Sequence, residues 1–298
     1  MKYLAIIILF LFSKLSAQTI ILDVENDVFS DSDYDYTHGT MITYIGNPIF
    51  PKSLFDSLMN EEVHFVEHSI FQFIYTPKKI DKKELQPEDR PWAGWSGYQY
   101  VANYRKNRRN IRMGFQLGVV GPYSFAQQSQ ETVHEIIDST APLGWDNQVG
   151  HHLAINGILG YQYKFLDNRY YDLSGSLYSL FGTSHVITGS NIMGRIGYNV
   201  PDSFGSSPSE PVSRNFEEHF SFYLLGGLDG RFVPYNATLD DIEGYDINTK
   251  DFVGDMSLGF GMRYRDFKIT YQHVWRTREF ERERKIKPFG VVSFSYSF

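Results

Sequence analysis

The sequence predicts an all-β fold: a closed antiparallel transmembrane β-barrel of about twelve strands, with one short helix near a polar cluster. Three observations carry this. A secretory leader is followed by no apolar stretch long enough for a membrane helix. Aromatic residues make up 16% of the chain, yet mean hydropathy is −0.33. The last seven residues alternate strictly between apolar and small polar side chains.

The leader comes first. Lys2 precedes an unbroken apolar run from Leu4 to Phe12, and Ser16-Ala17 offers small residues for cleavage. A run this short is a secretion signal rather than a membrane span. Residues 1–17 are therefore expected to be removed, leaving 18–298 as one outer-membrane barrel domain. The mature chain of about 280 residues suits a single large β domain. With no cysteine, disulfide and thiol chemistry are excluded. The formal charge is −7; Lys2 and Lys14 leave with the leader, giving −7 − 2 = −9. An acidic chain of this kind argues against a general nucleic-acid binder.

The C-terminal strand is the clearest. From Val292 the even positions are Val, Phe, Tyr and Phe, while Ser293, Ser295 and Ser297 hold the odd ones. Period-two alternation points one set at lipid and the other inward. The terminal Phe298 resembles the terminal signal of bacterial outer-membrane barrels. The same alternation returns at Tyr171, Leu173 and Leu177, set against Asp172, Ser174 and Ser176. Turn residues at Asn107–Asn110, Asp167-Asn168, Gly182–Ser184 and Arg265-Asp266 divide the chain. They leave strands near 19–28, 36–46, 67–76, 94–106, 109–120, 150–166, 169–182, 185–199, 219–235, 251–265, 267–280 and 288–298. An even count puts both termini on the periplasmic side, and closure removes edges that hydrocarbon cannot satisfy.

The connections near 47–67, 201–218 and 236–250 are long and polar, and they do not all fall on one face in this count. The connection from Pro122 to Val149 differs, because Ser124 to Ser139 holds no Gly or Pro. It is expected to form a helix of about four turns. Val133, Ile136 and Ile137 make an apolar stripe, and His134 lies off it, free to face a site.

Polar groups near a barrel rim are costly and point to chemistry. Glu25-Asn26-Asp27 and Tyr36-Thr37-His38-Gly39 sit on what reads as one hairpin. Each has a bland rival: Asn26-Asp27 as a strand-end turn, His134 as an exposed helix residue, His38 as an ordinary strand residue. The acidic run Asp31-x-Asp33-x-Asp35 is not an EF-hand, since Tyr36 stands where Gly is needed and Ile42 where Glu is needed. Adjacent His151-His152 point to opposite faces and read as structural. Trp92 and Trp95 read as interface anchors, and the charge run from Arg276 to Lys287 as a polar rim able to touch lipopolysaccharide.

Taken in order, Glu25-Asn26-Asp27, Tyr36-Thr37-His38-Gly39, Tyr75-Thr76-Pro77, Asp89-Arg90-Pro91-Trp92-Ala93-Gly94-Trp95, Gly118–Pro122, Gln130-x-x-x-His134, Gly144–Gln148 and Arg276–Phe280 form a specific pattern. The chain resembles the outer-membrane lipid A 3′-O-deacylases, the LpxR family. The resemblance spans nearly the whole mature chain. It implies a calcium-dependent esterase, a carboxylic ester hydrolase of the bacterial outer membrane that removes the 3′-linked acyloxyacyl chain of lipid A. By motif position His134 matches the general base and Asn26 and Asp27 the metal and oxyanion region. Thr37 matches a polar active-site residue. Lys82, or adjacent Lys83, matches a lysine on the substrate headgroup. Arg90 belongs to the same basic loop, which is suited to lipid A phosphates. The pattern's acidic residue after the histidine is displaced here: Asp138 is its candidate replacement as a calcium ligand, while Thr140 holds the gap-free spacing. A monomer in contact with lipopolysaccharide and the bilayer is expected.

These residue types suit ester hydrolysis. A histidine takes a proton from water near neutral pH, and calcium prefers hard oxygen ligands. No Gly-x-Ser-x-Gly elbow is present. Two alternatives stand beside this reading. An outer-membrane phospholipase would also be a barrel using calcium, but with a serine–histidine pairing that finds no matching spacing here. A porin-like barrel would need a charged, water-lined lumen and none of these residues.

Overall fold

Alternating sequence becomes a barrel because each strand can bury one face and give the other to lipid. The computed structural model describes residues 19–27, 35–47, 55–59, 63–204, 219–240, 242–283 and 286–298. The leader lies outside them, as do Asp31 and Asp33 of the acidic run. Twelve strands form one closed antiparallel sheet. They are β1 (Thr19–Asn26), β2 (Asp35–Gly46), β3 (Phe65–Thr76), β4 (Ala93–Lys106), β5 (Arg109–Val120), β6 (His152–Asp167), β7 (Tyr171–Gly182), β8 (His185–Tyr198), β9 (Phe220–Asn236), β10 (Phe252–Tyr264), β11 (Phe267–Thr277) and β12 (Ile286–Ser297). Neighbours in sequence are neighbours in the sheet, and β1 closes on β12 with Thr19 opposite Ser297.

The pleat sorts the side chains. Ile20, Leu22, Ile42, Ile70, Leu117, Leu153, Ile155, Leu177 and Phe294 are exposed on the outer surface. Their alternates, among them Asp23, Thr43, Glu67, Ser69, Asn103, Gln116, Asn156 and Ser293, are buried in the lumen. Both termini share one end of the barrel with the connections 47–64 and 199–219. The connections 77–92, 121–151, 237–251 and 278–285 share the other, which is the external end. So the strand ends that bracket the long connections near 47–67 and 201–218 lie at the periplasmic end, and short turns occur there at 107–108, 168–170 and 265–266.

Side chains and the start of one connection pack into the lumen on either side of a cavity. A cavity of about 460 Å³ lies among Gln99, Gln116, Tyr178, Asn191, Asp229 and Arg231. Above it, towards the external end, Phe71, Phe73 and Trp95 pack together, and Trp95 stacks on His185 at 4.1 Å. Below it, the start of the 199–219 connection folds inward. The Arg195 guanidinium, paired with Asp172, donates to the Ser203 hydroxyl at 2.7 Å and to the Pro201 and Ser203 carbonyls at 2.8 and 2.9 Å. Phe204 is buried there.

Among the described residues two α-helices lie outside the sheet: α1 (Asp56–Met59) and α2 (Ala126–Ile136). The second is shorter than the expected 124–139, because Pro122–Ser124 forms a separate 3-10 turn and Phe125 takes a left-handed conformation at φ 58°.

Candidate active site on the outer wall

Strand register determines which polar groups meet. Asn26 of β1 lies opposite His38 of β2, and Thr40 of β2 lies opposite Gln72 of β3. These positions alternate with the same parity as Leu22, Ile42 and Ile70, so they face outward, on the lipid side. They are linked. The Asn26 amide nitrogen lies 3.3 Å from His38 Nδ1, and His38 Nε2 lies 2.5 Å from the Thr40 hydroxyl. Gln72 donates its amide to the Ser124 carbonyl at 2.7 Å, at the foot of α2.

The helix is clamped beside this patch, against β3 and β4. Gly94 of β4 is the contact that permits it: a Cβ there would overlap the Ser124 Oγ and the Ala126 Cβ. Beneath lie Ile74, Ile80, Trp92, Ala126 and Trp145, with the two indoles 5.0 Å apart. Trp92 and Trp95 are thus packing residues, one under the helix and one in the lumen, and neither is the interface anchor expected from sequence. Burial of two large aromatic surfaces outweighs their preference for the headgroup layer.

The helix is inverted relative to a soluble one. Its inward face is Ala126, Gln130 and His134, spaced four apart, while Val133 and Ile136 (77% accessible) face out. Lipid is the solvent on that side, so the apolar stripe belongs there. Gln130 is fixed by the Trp145 indole, which donates to its Oε1 at 2.9 Å. Its buried Nε2 has no hydrogen-bond partner among the described residues.

His134 is only 7% accessible. Its Nδ1 lies 2.6 Å from the Thr140 carbonyl. A carbonyl only accepts, so Nδ1 carries the proton, and in the neutral ring Nε2 keeps its lone pair. Thr140 thus acts through its backbone, and the chain reaches it by a left-handed turn at Asp138, φ 53°. Such conformations persist where the surroundings over-determine them, commonly at functional sites.

The remaining expected site residues are placed as follows. Asp27 is buried directly after Asn26 at the end of β1. Thr37 lies in β2 at a register shift between Tyr36 and His38, with its side chain outside the description. Lys82 and Lys83 are exposed in the 77–92 connection. The Lys83 carbonyl there accepts from Asn147 at 2.8 Å. Asp138 is exposed past the helix end.

Arg90 is corrected. It has no exposed side-chain surface and faces the lumen, 2.7 Å from Glu279 and 3.8 Å from Glu283, with its guanidinium 4.4 Å over the Tyr75 ring. Lys287 completes the cluster at 2.7 and 2.5 Å from the same carboxylates. Burial disfavours the charged form of Glu279, but Arg90, Lys287 and Arg276 outweigh it and hold its carboxyl well below the usual range. Two ends of the Arg276–Lys287 run therefore serve lumen closure, with Arg276 bound to Asp255 at 2.9 Å. Thr40 and Gln72 were missed by sequence reasoning, while Gln130 entered only as part of the motif before His134. Polar residues at lipid-facing parity were the available signal.

The metal expectation can be tested on donor chemistry. Asn26 and Asp27 offer hard oxygens, with Glu25 beside them, and that suits calcium. Among the described residues no three His, Asp or Glu side chains gather at one point, so Asp27, Glu25 and Asp138 do not form a three-acid cluster. Backbone oxygens and water would have to complete a shell.

The sequence matches the family described as "Outer membrane protein LpxR" over residues 4–298. The chain belongs to the LpxR family. It is an outer-membrane protein. The solved structure of LpxR from Salmonella typhimurium superposes with a TM-score of 0.75 at 18% identity, covering 95% of this chain and 100% of that one. At that identity the likeness shows the shared fold. A KdgM porin (9% identity, 95% and 99% covered) and a NanC porin (6%, 94% and 98%) align with TM-scores of 0.37 and 0.40, too low to carry an argument. No curated protein matches the sequence.

Proposed function

We propose that this LpxR-family protein is a calcium-dependent lipid A deacylase, hydrolysing the ester of the 3′-linked acyloxyacyl chain. The observation that carries the reading is His134: a buried imidazole on the outer wall, with Nδ1 protonated against the Thr140 carbonyl and Nε2 left basic. Nε2 takes a proton from water as the oxygen attacks the ester carbonyl. The bond to the sugar oxygen then breaks, and the imidazolium returns the proton to that leaving oxygen. Acid and hydroxyl result, with no serine nucleophile needed. Calcium, when bound by Asn26 and Asp27, would supply positive charge for the developing oxyanion.

The location supports the substrate. Lipid A lies in the external leaflet, and a site on the lipid-facing wall meets it by lateral diffusion. Lys82 and Lys83, exposed at the same end, suit its phosphates.

Purified protein incubated with lipid A, and separately with phospholipid, with calcium or chelator, tests the reading by mass spectrometry. Loss of the 3′ acyloxyacyl unit only with calcium is expected. Release of fatty acid from phospholipid, or no product, contradicts it.

A further inference from the structure

The geometry points to His38 as a positioning residue that orients the Asn26 amide, oxygen towards the cation. The inference rests on the calcium-dependent reading above. It starts from the opposite demands on two histidines of the outer wall, His134 and His38. His134 meets a carbonyl through Nδ1 and keeps Nε2 for chemistry. His38 meets an amide nitrogen through Nδ1, 3.3 Å from Asn26 Nδ2. An amide NH₂ only donates, so this Nδ1 accepts and the ring proton sits on Nε2. From there it donates to the Thr40 hydroxyl at 2.5 Å.

Both nitrogens of His38 are thus engaged within the wall, and it retains no lone pair to serve as a second base. It does retain control over Asn26. The amide is planar, so a nitrogen held on the β2 side places Oδ1 on the opposite side. That presents Asn26 as an oxygen ligand rather than as an oxyanion donor. Thr40 stiffens the device, because a β-branched side chain has few rotamers. The location argues for use: the lipid-facing neighbours Leu22, Ile42 and Ile70 are apolar, and polar groups on this face are costly unless paired. Partners that orient a metal ligand commonly matter as much as the ligand.

The test compares wild type with His38→Ala and His38→Asn. Asparagine Oδ1 can accept where Nδ1 does. Calcium affinity is read by competition with terbium luminescence and by the calcium-induced rise in unfolding temperature. Lipid A kcat and KM are measured across calcium concentration, and heat-modifiable gel migration verifies the barrel. His38→Ala is expected to need ~10–100-fold more calcium, with lipid A KM unchanged, and His38→Asn to recover most of the loss. Calcium affinity unchanged in His38→Ala, or no recovery in His38→Asn, overturns the inference. A wild type that neither binds calcium nor deacylates lipid A overturns the parent reading, and this inference with it. A wild type that does both while His38→Ala is unaffected overturns the inference alone.

Discussion

The lumen and the outer wall both carry polar groups, and they carry them differently. Inside, charges are paired in networks: Arg231 and Arg276 share Asp255, and Arg90 and Lys287 share Glu279 and Glu283. Outside, at the external rim, the groups are amides, hydroxyls and imidazoles joined by hydrogen bonds, beside one buried acid. Paired lumen charges hold a barrel closed. Sparse polar groups facing lipid contribute little to holding a fold, and their expense is the sign that they serve something else.

Substitutions can break or sharpen that contrast. The largest effect belongs outside: His134→Ala is expected to lower lipid A hydrolysis by about 10²–10⁴-fold with heat-modifiable migration intact, checked by initial rates and gel shift. Next is Gly94→Leu. Its side chain has no room beneath Ser124 and Ala126, so α2 must lift away. A loss of about 10²-fold in kcat is expected from misplacing His134, again with the barrel preserved.

Inside, the opposite balance should hold. Arg90→Ala removes a buried ion-pair partner of Glu279 and Glu283. It is expected to cost about 3–5 kcal/mol in unfolding experiments while leaving calcium affinity unchanged. A smaller effect is pH-linked. The Glu279 carboxyl is depressed when folded, so its contribution is fully present above its unfolded value near 4.5 and is lost as pH falls through its lower folded value. Thermal unfolding should therefore weaken only in strongly acidic buffer, and Glu279→Gln should flatten that dependence. Least of all, Lys250→Ala removes an exposed pair with Glu281 and should leave unfolding temperature and activity unmoved.

The fold was legible in the sequence because alternation is a local property. Ser293, Ser295 and Ser297 against Phe294, Tyr296 and Phe298 announce their faces without reference to any partner. All twelve strands lie within a few residues of their expected spans. The site was half legible. Asn26, Asp27 and His134 stand out as residue types in unusual company. The link from Asn26 through His38 to Thr40 was hidden, since it depends on register between strands, and register is set by closure of the whole sheet. Arg90 misled for a related reason. A basic residue in a loop looks available to phosphate, and only the turn of the 77–92 connection reveals Glu279 behind it. The apolar stripe of α2 was seen correctly, but which side of the wall it faces depends on where Gly94 lets the helix rest.

The most direct measurement is a crystal structure grown with calcium or its lanthanide substitute, with the cation located by anomalous scattering. The account predicts density at Asn26 and Asp27 on the lipid-facing side, with the His134 Nε2 turned to the same space and separated from it by no more than a water and a substrate carbonyl. A cation held instead in the lumen near Asp229 and Asp255, or an imidazole turned away from the Asn26 side chain, would contradict it.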